Sequence, residues 1–135
     1  MTSQIKVGDK LPDLEIPITA LQIVSGAIAT QDFENVHHDK AAAQAAGTPD
    51  IFMNILTTNG LVGRYLTDWA GPTARLKRIQ LKLGAPNFPG DSMTLSGKVS
   101  STDNDIIEVE FKGKNGIGNH VTGLASLSLT DTVGA

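Results

Sequence analysis

The chain has 135 residues, 40% apolar and 19% charged, with a formal net charge of −3 and no cysteine. That size suits one domain with one core, expected to span residues 1–135. The missing cysteines exclude disulfides, zinc thiolates and thiol nucleophiles; scattered Lys and Arg argue against nucleic acid as the main partner; and no apolar run approaches the ~20 residues of a membrane span.

The opening MTSQIKVGDKLPDLEIP is polar and lacks the apolar run of a secretory signal, so a soluble cytoplasmic protein is expected. Within it, Leu14, Ile16 and Ile18 alternate as a short strand does, among two prolines and a Gly-Asp turn. The next run, ALQIVSGAIAT, is small and apolar, and its periodicity fits helix and strand alike. Then comes QDFENVHHDKAAAQAAG, which sets two adjacent histidines among acids. Asp39 stands where an N-cap would, ahead of an alanine-rich helix that Gly47 closes. A metal at His37, His38 and Asp39 is not expected, because adjacent histidines seldom reach one ion and no other cluster completes a shell.

Thr48-Pro49-Asp50 reads as a helix start. Ile51, Phe52, Ile55, Leu56, Val62, Tyr65, Leu66 and Trp69 follow a 3.6-residue period that Trp69-Ala70-Gly71-Pro72 ends. This long helix has few charges and is expected to be covered on most sides. Gly60 and Gly63 each weaken it by ~1 kcal/mol relative to Ala, which predicts compensation by close approach of a sheet.

The second half changes period. Ile79, Leu81 and Leu83, then Met93, Leu95, Gly97 and Val99, then Ile107, Val109 and Phe111, then Val121 to Leu129 alternate with mostly polar or small residues. Four such runs, separated by GAPNFPGD, STDND and KNGIGN, predict an antiparallel meander with one wet face. A long helix against such a sheet is an α+β layer pair, the layout of the hotdog fold, in which a curved sheet wraps a central helix.

Residues 31–47 resemble the hydratase signature of the MaoC-like, or (R)-specific enoyl-CoA hydratase, family. Asp32, His37 and Asp39 fall on the three titratable places of that signature, while Glu34 and Asn35 stand where it has Asn and Pro. PNFPGDSMTLSGKV, residues 86–99, resembles the turn and strand of the same fold, and the element order agrees over nearly the whole chain. Within the family, the likeness is nearest to small subunits of heteromeric actinobacterial hydratases that act on steroid CoA thioesters. The resemblance implies a catalytic dyad of Asp32 and His37, a thioester oxygen held by the backbone N–H of Asn54, and support from Asn59. It also implies a larger MaoC-like subunit as partner, or a homodimer if the chain acts alone. No cofactor is implied, since coenzyme A arrives as part of the substrate.

Adding water to a double bond conjugated with a thioester needs a base for the water, an acid for the α-carbon and donors for the enolate-like oxygen. Histidine titrates near neutral pH, and a tight loop through residues 33–36 can aim Asp32 and His37 at one water. Arg75, Lys77 and Arg78 are candidates for the CoA phosphates, with a solvated strand face as the alternative. His38 is expected to face solvent or a neighbouring strand, and His120 to be structural. A hotdog thioesterase would need a carboxylate on the central helix, where Asp68 at the far end is the first. A non-catalytic acyl-CoA-binding or scaffold subunit is the reading from another class. Unpaired sheet edges are a liability, and so small a chain leaves little to enclose a steroid, so a second hotdog domain is expected.

Overall fold

The structure, a computed structural model, describes residues 5–129; both ends of the expected 1–135 domain lie outside the described residues. Strand β1 (Lys10–Pro17) leads to helix α1 (Ala20–Ala29), a 3₁₀ turn (Asn35–His37), helix α2 (Lys40–Ala45) and helix α3 (Ile55–Ala70). Strands β2 (Arg75–Leu83), β3 (Ser92–Asp103), β4 (Ile106–Lys114) and β5 (Asn119–Ser128) follow. All pairings are antiparallel, in the spatial order β1-β3-β4-β5-β2.

The expected meander therefore holds for β3, β4 and β5 only. Asp103 pairs with Ile106, leaving the two-residue hairpin Asn104-Asp105, with Asn104 at a positive φ of 57°. The eight residues 84–91 form no such hairpin. They carry the chain away from β2, which pairs with β5 at one edge, while β1 pairs with β3 at the other. Alternation tells which face a residue takes and not which strand lies beside it.

The wet face is as expected: Ile107, Val109 and Phe111 are buried, while Glu108, Glu110 and Lys112 are exposed. Helix α3 contacts β2 and β1, the two edge strands, so the sheet curls around it in the hotdog arrangement. The core joins Val62, Tyr65 and Leu66 of α3 to Leu95, Val99, Val109, Val121 and Leu127. Near β1, the Tyr65 hydroxyl donates to Pro12 O at 2.9 Å, beside the irregularity between Leu11 and Leu14. Burial and the nearby Asp13 charge push the Tyr65 pKa up to about 12.

Three expectations are corrected. Helix α3 begins at Ile55 behind the N-cap Asn54, so residues 51–54 precede it. Phe52 N donates to Val36 O and Met53 N to Asn87 O, which holds this segment outside the helix. Second, α3 keeps an exposed stripe: Ile55 and Leu56 are 47% and 48% exposed, and Gly60, Arg64 and Asp68 continue it at one-turn intervals. Third, Gly60 has no atom within 4 Å of where a Cβ would stand, and Gly63 has only Leu76 at ordinary contact distance. Burial supplies the compensation instead. Val62 and Leu66 are fully buried, each worth ~1.5–3 kcal/mol, against ~1 kcal/mol per helical glycine.

The ambiguous run 20–30 is helical. Thr19 caps it by accepting from Gln22 N at 3.0 Å, and Ile23 and Ala27, one turn apart, are its buried residues. Of the helical glycines the tight one is Gly26, where a Cβ would collide with the Thr57 hydroxyl.

Candidate active site

Helix α1 ends in a Schellman turn: Gln31 N donates to Ile28 O at 3.0 Å and Asp32 N to Ala27 O at 2.8 Å. The αL residue this requires is Gln31, at φ 58°, although glycine is the usual occupant. The turn reverses the chain and delivers Asp32 directly after α1. Asp32 Oδ1 then accepts from Glu34 N at 3.3 Å, an Asx turn leading into the 3₁₀ turn. Asn35 O accepts from His38 N and Asp39 N. The two positions that depart from the family signature thus serve this loop through their backbones, and the loop closes with Glu and Asn there.

His37 is buried at 8% exposure. Its Nδ1 lies 2.7 Å from Phe52 O. A carbonyl can only accept, so Nδ1 carries the proton and, in the neutral ring, Nε2 presents its lone pair. That Nε2 lies 3.5 Å from Asp32 Oδ2, whose side chain is 23% exposed. Two acceptors face each other there, slightly beyond direct hydrogen-bond range, at a spacing that a shared proton or a water hydrogen can bridge. The Phe52 ring packs edge-on to His37, with centroids 4.9 Å apart, and fixes the ring plane.

His38, expected to face solvent or a neighbouring strand, is half-buried and turns to its own loop instead. Its Nε2 lies 2.8 Å from Asp32 O, and its ring stacks on Phe33. The adjacent histidines therefore pin one loop from two sides. Asp39 caps α2, accepting from Ala41 N and Ala42 N, as expected.

Asn54 enters the site through its side chain as well as its place at the helix start. Its Nδ2 donates to Asp32 Oδ2 at 3.0 Å and to Thr30 Oγ1 at 3.0 Å. The first of these bonds is the chief reason the Asp32 pKa lies below the usual carboxylate range; the Glu34 N–H and the two imidazoles add to it, and partial burial opposes it. Among the described residues, no protein acceptor takes up the Asn54 backbone N–H. Asn59 makes no hydrogen bond to Asp32 or His37; the polar support expected of it comes from the Asn54 side chain and Thr30.

Arg75, Lys77 and Arg78 are all exposed on edge strand β2. Asp68 is 72% exposed and pairs with Arg64, about 20 Å along α3 from Ile55 at 1.5 Å per residue. It is no part of this site. A cavity of about 800 Å³ is lined by residues of β1, β3, β4 and β5, among them Lys10, Lys98 and Glu110, and by none of the dyad loop. Sequence reasoning missed the Asn54 side chain, Thr57 and Thr30. An Asn-x-x-Thr spacing ahead of the helix, read as a cap, was the available signal.

The MaoC like domain family matches residues 3–121. The 3-oxo-4,17-pregnadiene-20-carboxyl-CoA hydratase beta subunit of Mycobacterium tuberculosis is 48% identical over 126 residues, spanning 93% of this chain and 98% of the relative. The crystal structure of the ChsH1-ChsH2 complex from the same organism contains a chain that superposes with a TM-score of 0.91 at 48% identity, covering 93% of this chain and 98% of that one. An (R)-hydratase from A. caviae involved in PHA biosynthesis superposes at 0.82 with 22% identity, over 93% of this chain and 97% of its own; at that identity the likeness concerns the fold. With the family matched over most of its length and a relative this similar, the chain belongs to the MaoC-like domain family.

Proposed function

We propose that the protein is the catalytic small subunit of an enoyl-CoA hydratase acting on a steroid side-chain CoA thioester. The observation that carries this reading is the convergence of His37 Nε2 and Asp32 Oδ2, 3.5 Å apart, on a loop that abuts the N-cap of α3 through Asn54. The steroid substrate and the presence of a partner subunit follow the 48%-identical relatives, and the family resemblance makes that partner the larger chain. No cofactor takes part, and coenzyme A belongs to the substrate. We place the enzyme in the cytoplasm; among the described residues no helix is long and apolar enough to cross a membrane.

In this reading one water lies between Asp32 and His37. Asp32 accepts one of its hydrogens and orients it. His37 Nε2 takes the other proton, and the imidazolium is stabilised by the Asp32 carboxylate and by Phe52 O. The water oxygen bonds to the β-carbon as the carbon–carbon π pair moves to the thioester oxygen. The Asn54 N–H, at the positive end of α3, holds that oxygen. Collapse of the enolate takes the proton from Nε2 onto the α-carbon and restores the neutral ring, so one water is added and no proton is left over.

Ile28, Phe33, Ile55 and Leu56 are exposed apolar residues on the segments that carry the dyad and the cap. They form the surface that the acyl chain and the partner chain cover, and Arg75, Lys77 and Arg78 are free to reach the CoA phosphates. Asp32→Ala and His37→Ala, with folding intact, are expected to lower turnover by ~10²–10⁴-fold, followed as loss of the conjugated thioester absorbance in the assembled enzyme. Full activity in either variant would refute the reading, and release of free thiol without hydration would point to a thioesterase.

A further inference from the structure

The geometry points to the Asn54 side-chain amide as the positioning residue that sets the direction and the charge of Asp32, an inference that rests on the hydratase reading. Every hydrogen-bonding position of this amide is committed. Asn54 Oδ1 accepts from Thr57 N at 3.1 Å and from the Thr57 hydroxyl at 2.5 Å. A backbone N–H can only donate, so the oxygen must face Thr57 and the NH₂ group must face the other way. There, one N–H goes to Thr30 Oγ1 and the other to Asp32 Oδ2, each at 3.0 Å. Thr30 cannot turn to compete, because its own hydroxyl donates back to Gly26 O at 2.8 Å. With two donors and two acceptors satisfied and Asn54 only 2% exposed, the amide has no second orientation available.

A fixed donor at Oδ2 has two consequences. It favours the ionised carboxylate, which sits just after the carbonyl end of α1, a place where negative charge is otherwise disfavoured. It also holds Oδ2 on the side that faces His37 Nε2, so the dyad spacing depends on a group outside the dyad. His37 and His38 are the other titratable groups facing Asp32; Asn54 is neutral and acts at every pH.

Capping and positioning can be separated, because they use opposite ends of the same amide. Asn54→Asp and Asn54→Ser both keep an acceptor for Thr57 N, and so keep the cap, while both lose the donor to Asp32. In the full chain, assembled with its larger subunit where turnover requires it, Asn54→Ser should melt close to wild type, while the paired carboxyls of Asn54→Asp lower its melting point at neutral pH and less so as the pH falls. Turnover of an α,β-unsaturated acyl-CoA should fall by ~10–100-fold, the range that one charge-assisted hydrogen bond carries, with KM little changed. The acid limb of the kcat profile should move to higher pH, most in Asn54→Asp, where two carboxyls share the site. In an Asp32→Ala background neither substitution should lower the residual rate further. A carboxyl carbon-13 titration of Asp32 reads the same shift without turnover and should move upward in both variants. Wild-type kcat, acid limb and Asp32 titration in the two variants, in an enzyme that Asp32→Ala disables, would overturn this proposal and leave the hydratase reading standing. Full activity in Asp32→Ala would overturn both.

Discussion

His37 and His120 share more than burial. Each sets Nδ1 against a backbone carbonyl, Phe52 O at 2.7 Å and Ala85 O at 2.8 Å, so each holds the same neutral tautomer. They differ at Nε2. In His120 it lies 2.8 Å from the Thr58 hydroxyl, a donor that closes the ring's last position. In His37 it faces a carboxylate across 3.5 Å, where no donor among the described residues closes it. An imidazole with both nitrogens satisfied is a strut; one with a lone pair held opposite an anion is, in the function proposed above, the base that takes the proton from water. The residue type and its burial do not separate the two roles, and the partner of one nitrogen does.

The strut is also built into the scaffold of the site. His120 ties β5 to Thr58, one turn inside α3, and to Ala85 in the loop between β2 and β3. That loop holds Met53 N through Asn87 O, and buried Asn87 accepts from Asn115 Nδ2 at 2.8 Å. The start of α3 is thus clamped from the sheet side while the dyad loop meets it from the other.

Thr58→Val is the sharpest way to break the comparison. It keeps the shape of Thr58 and leaves His120 Nε2 buried without a donor, a loss of ~1–3 kcal/mol. The expected outcome is a lower denaturation midpoint with turnover per folded molecule retained, the reverse of His37→Ala. A variant of Thr58 that melts normally and loses turnover would mean that His120 belongs to the chemistry.

Glycines sharpen the same contrast between support and chemistry at smaller cost. A Cβ on Gly26 would meet the Thr57 hydroxyl. Overpacking costs ~1–3 kcal/mol, against which better helix propensity returns ~1 kcal/mol. Gly26→Ala should therefore lower stability modestly, and by displacing Thr57 it should also lower turnover. Gly60→Ala, with open space at the Cβ, should raise stability by ~0.5–1 kcal/mol. Urea midpoints and kcat measured on both variants check this; equal effects would show that Thr57 is free to move.

Much of this was legible in the sequence, for physical reasons that also explain what was missed. Alternation in 93–99 and 107–111 reads out the sheet because one face meets water. The pairing of β2 with β5 was hidden because period 2 carries no neighbour identity. The sequence starts α3 at Thr48-Pro49-Asp50 because Ile51 and Phe52 continue the apolar period, although Phe52 and Met53 bond to other segments and hold the stretch out of the helix. The meeting of Asp32 and His37 in one tight loop is visible as a pattern of residue types. The αL turn at Gln31 is hidden because glutamine stands where glycine usually marks it, and the role of the Asn54 amide because it depends on contacts with Thr30 and Asp32, more than twenty residues away, that no local window contains.

The smallest expected effect is a pH dependence that belongs to the strut alone. Burial lowers the His120 pKa, with the Ala85 carbonyl partly opposing. The folded chain therefore keeps this ring neutral where the unfolded chain, near the ordinary ~6.5 of histidine, takes up a proton. Stability from His120 is full above that value and falls with pH until the folded pKa is reached, by at most one proton's worth of slope. Asp32, whose folded pKa is depressed, begins to lose its contribution only below about 4 and stays outside this window. The stability gap between wild type and His120→Asn should thus narrow as pH drops from about 7.5 to about 5.5 in paired denaturation curves. A constant gap would mean that the buried ring takes its proton as readily as the free one, and the distinction drawn between the two imidazoles would lose its electrostatic half.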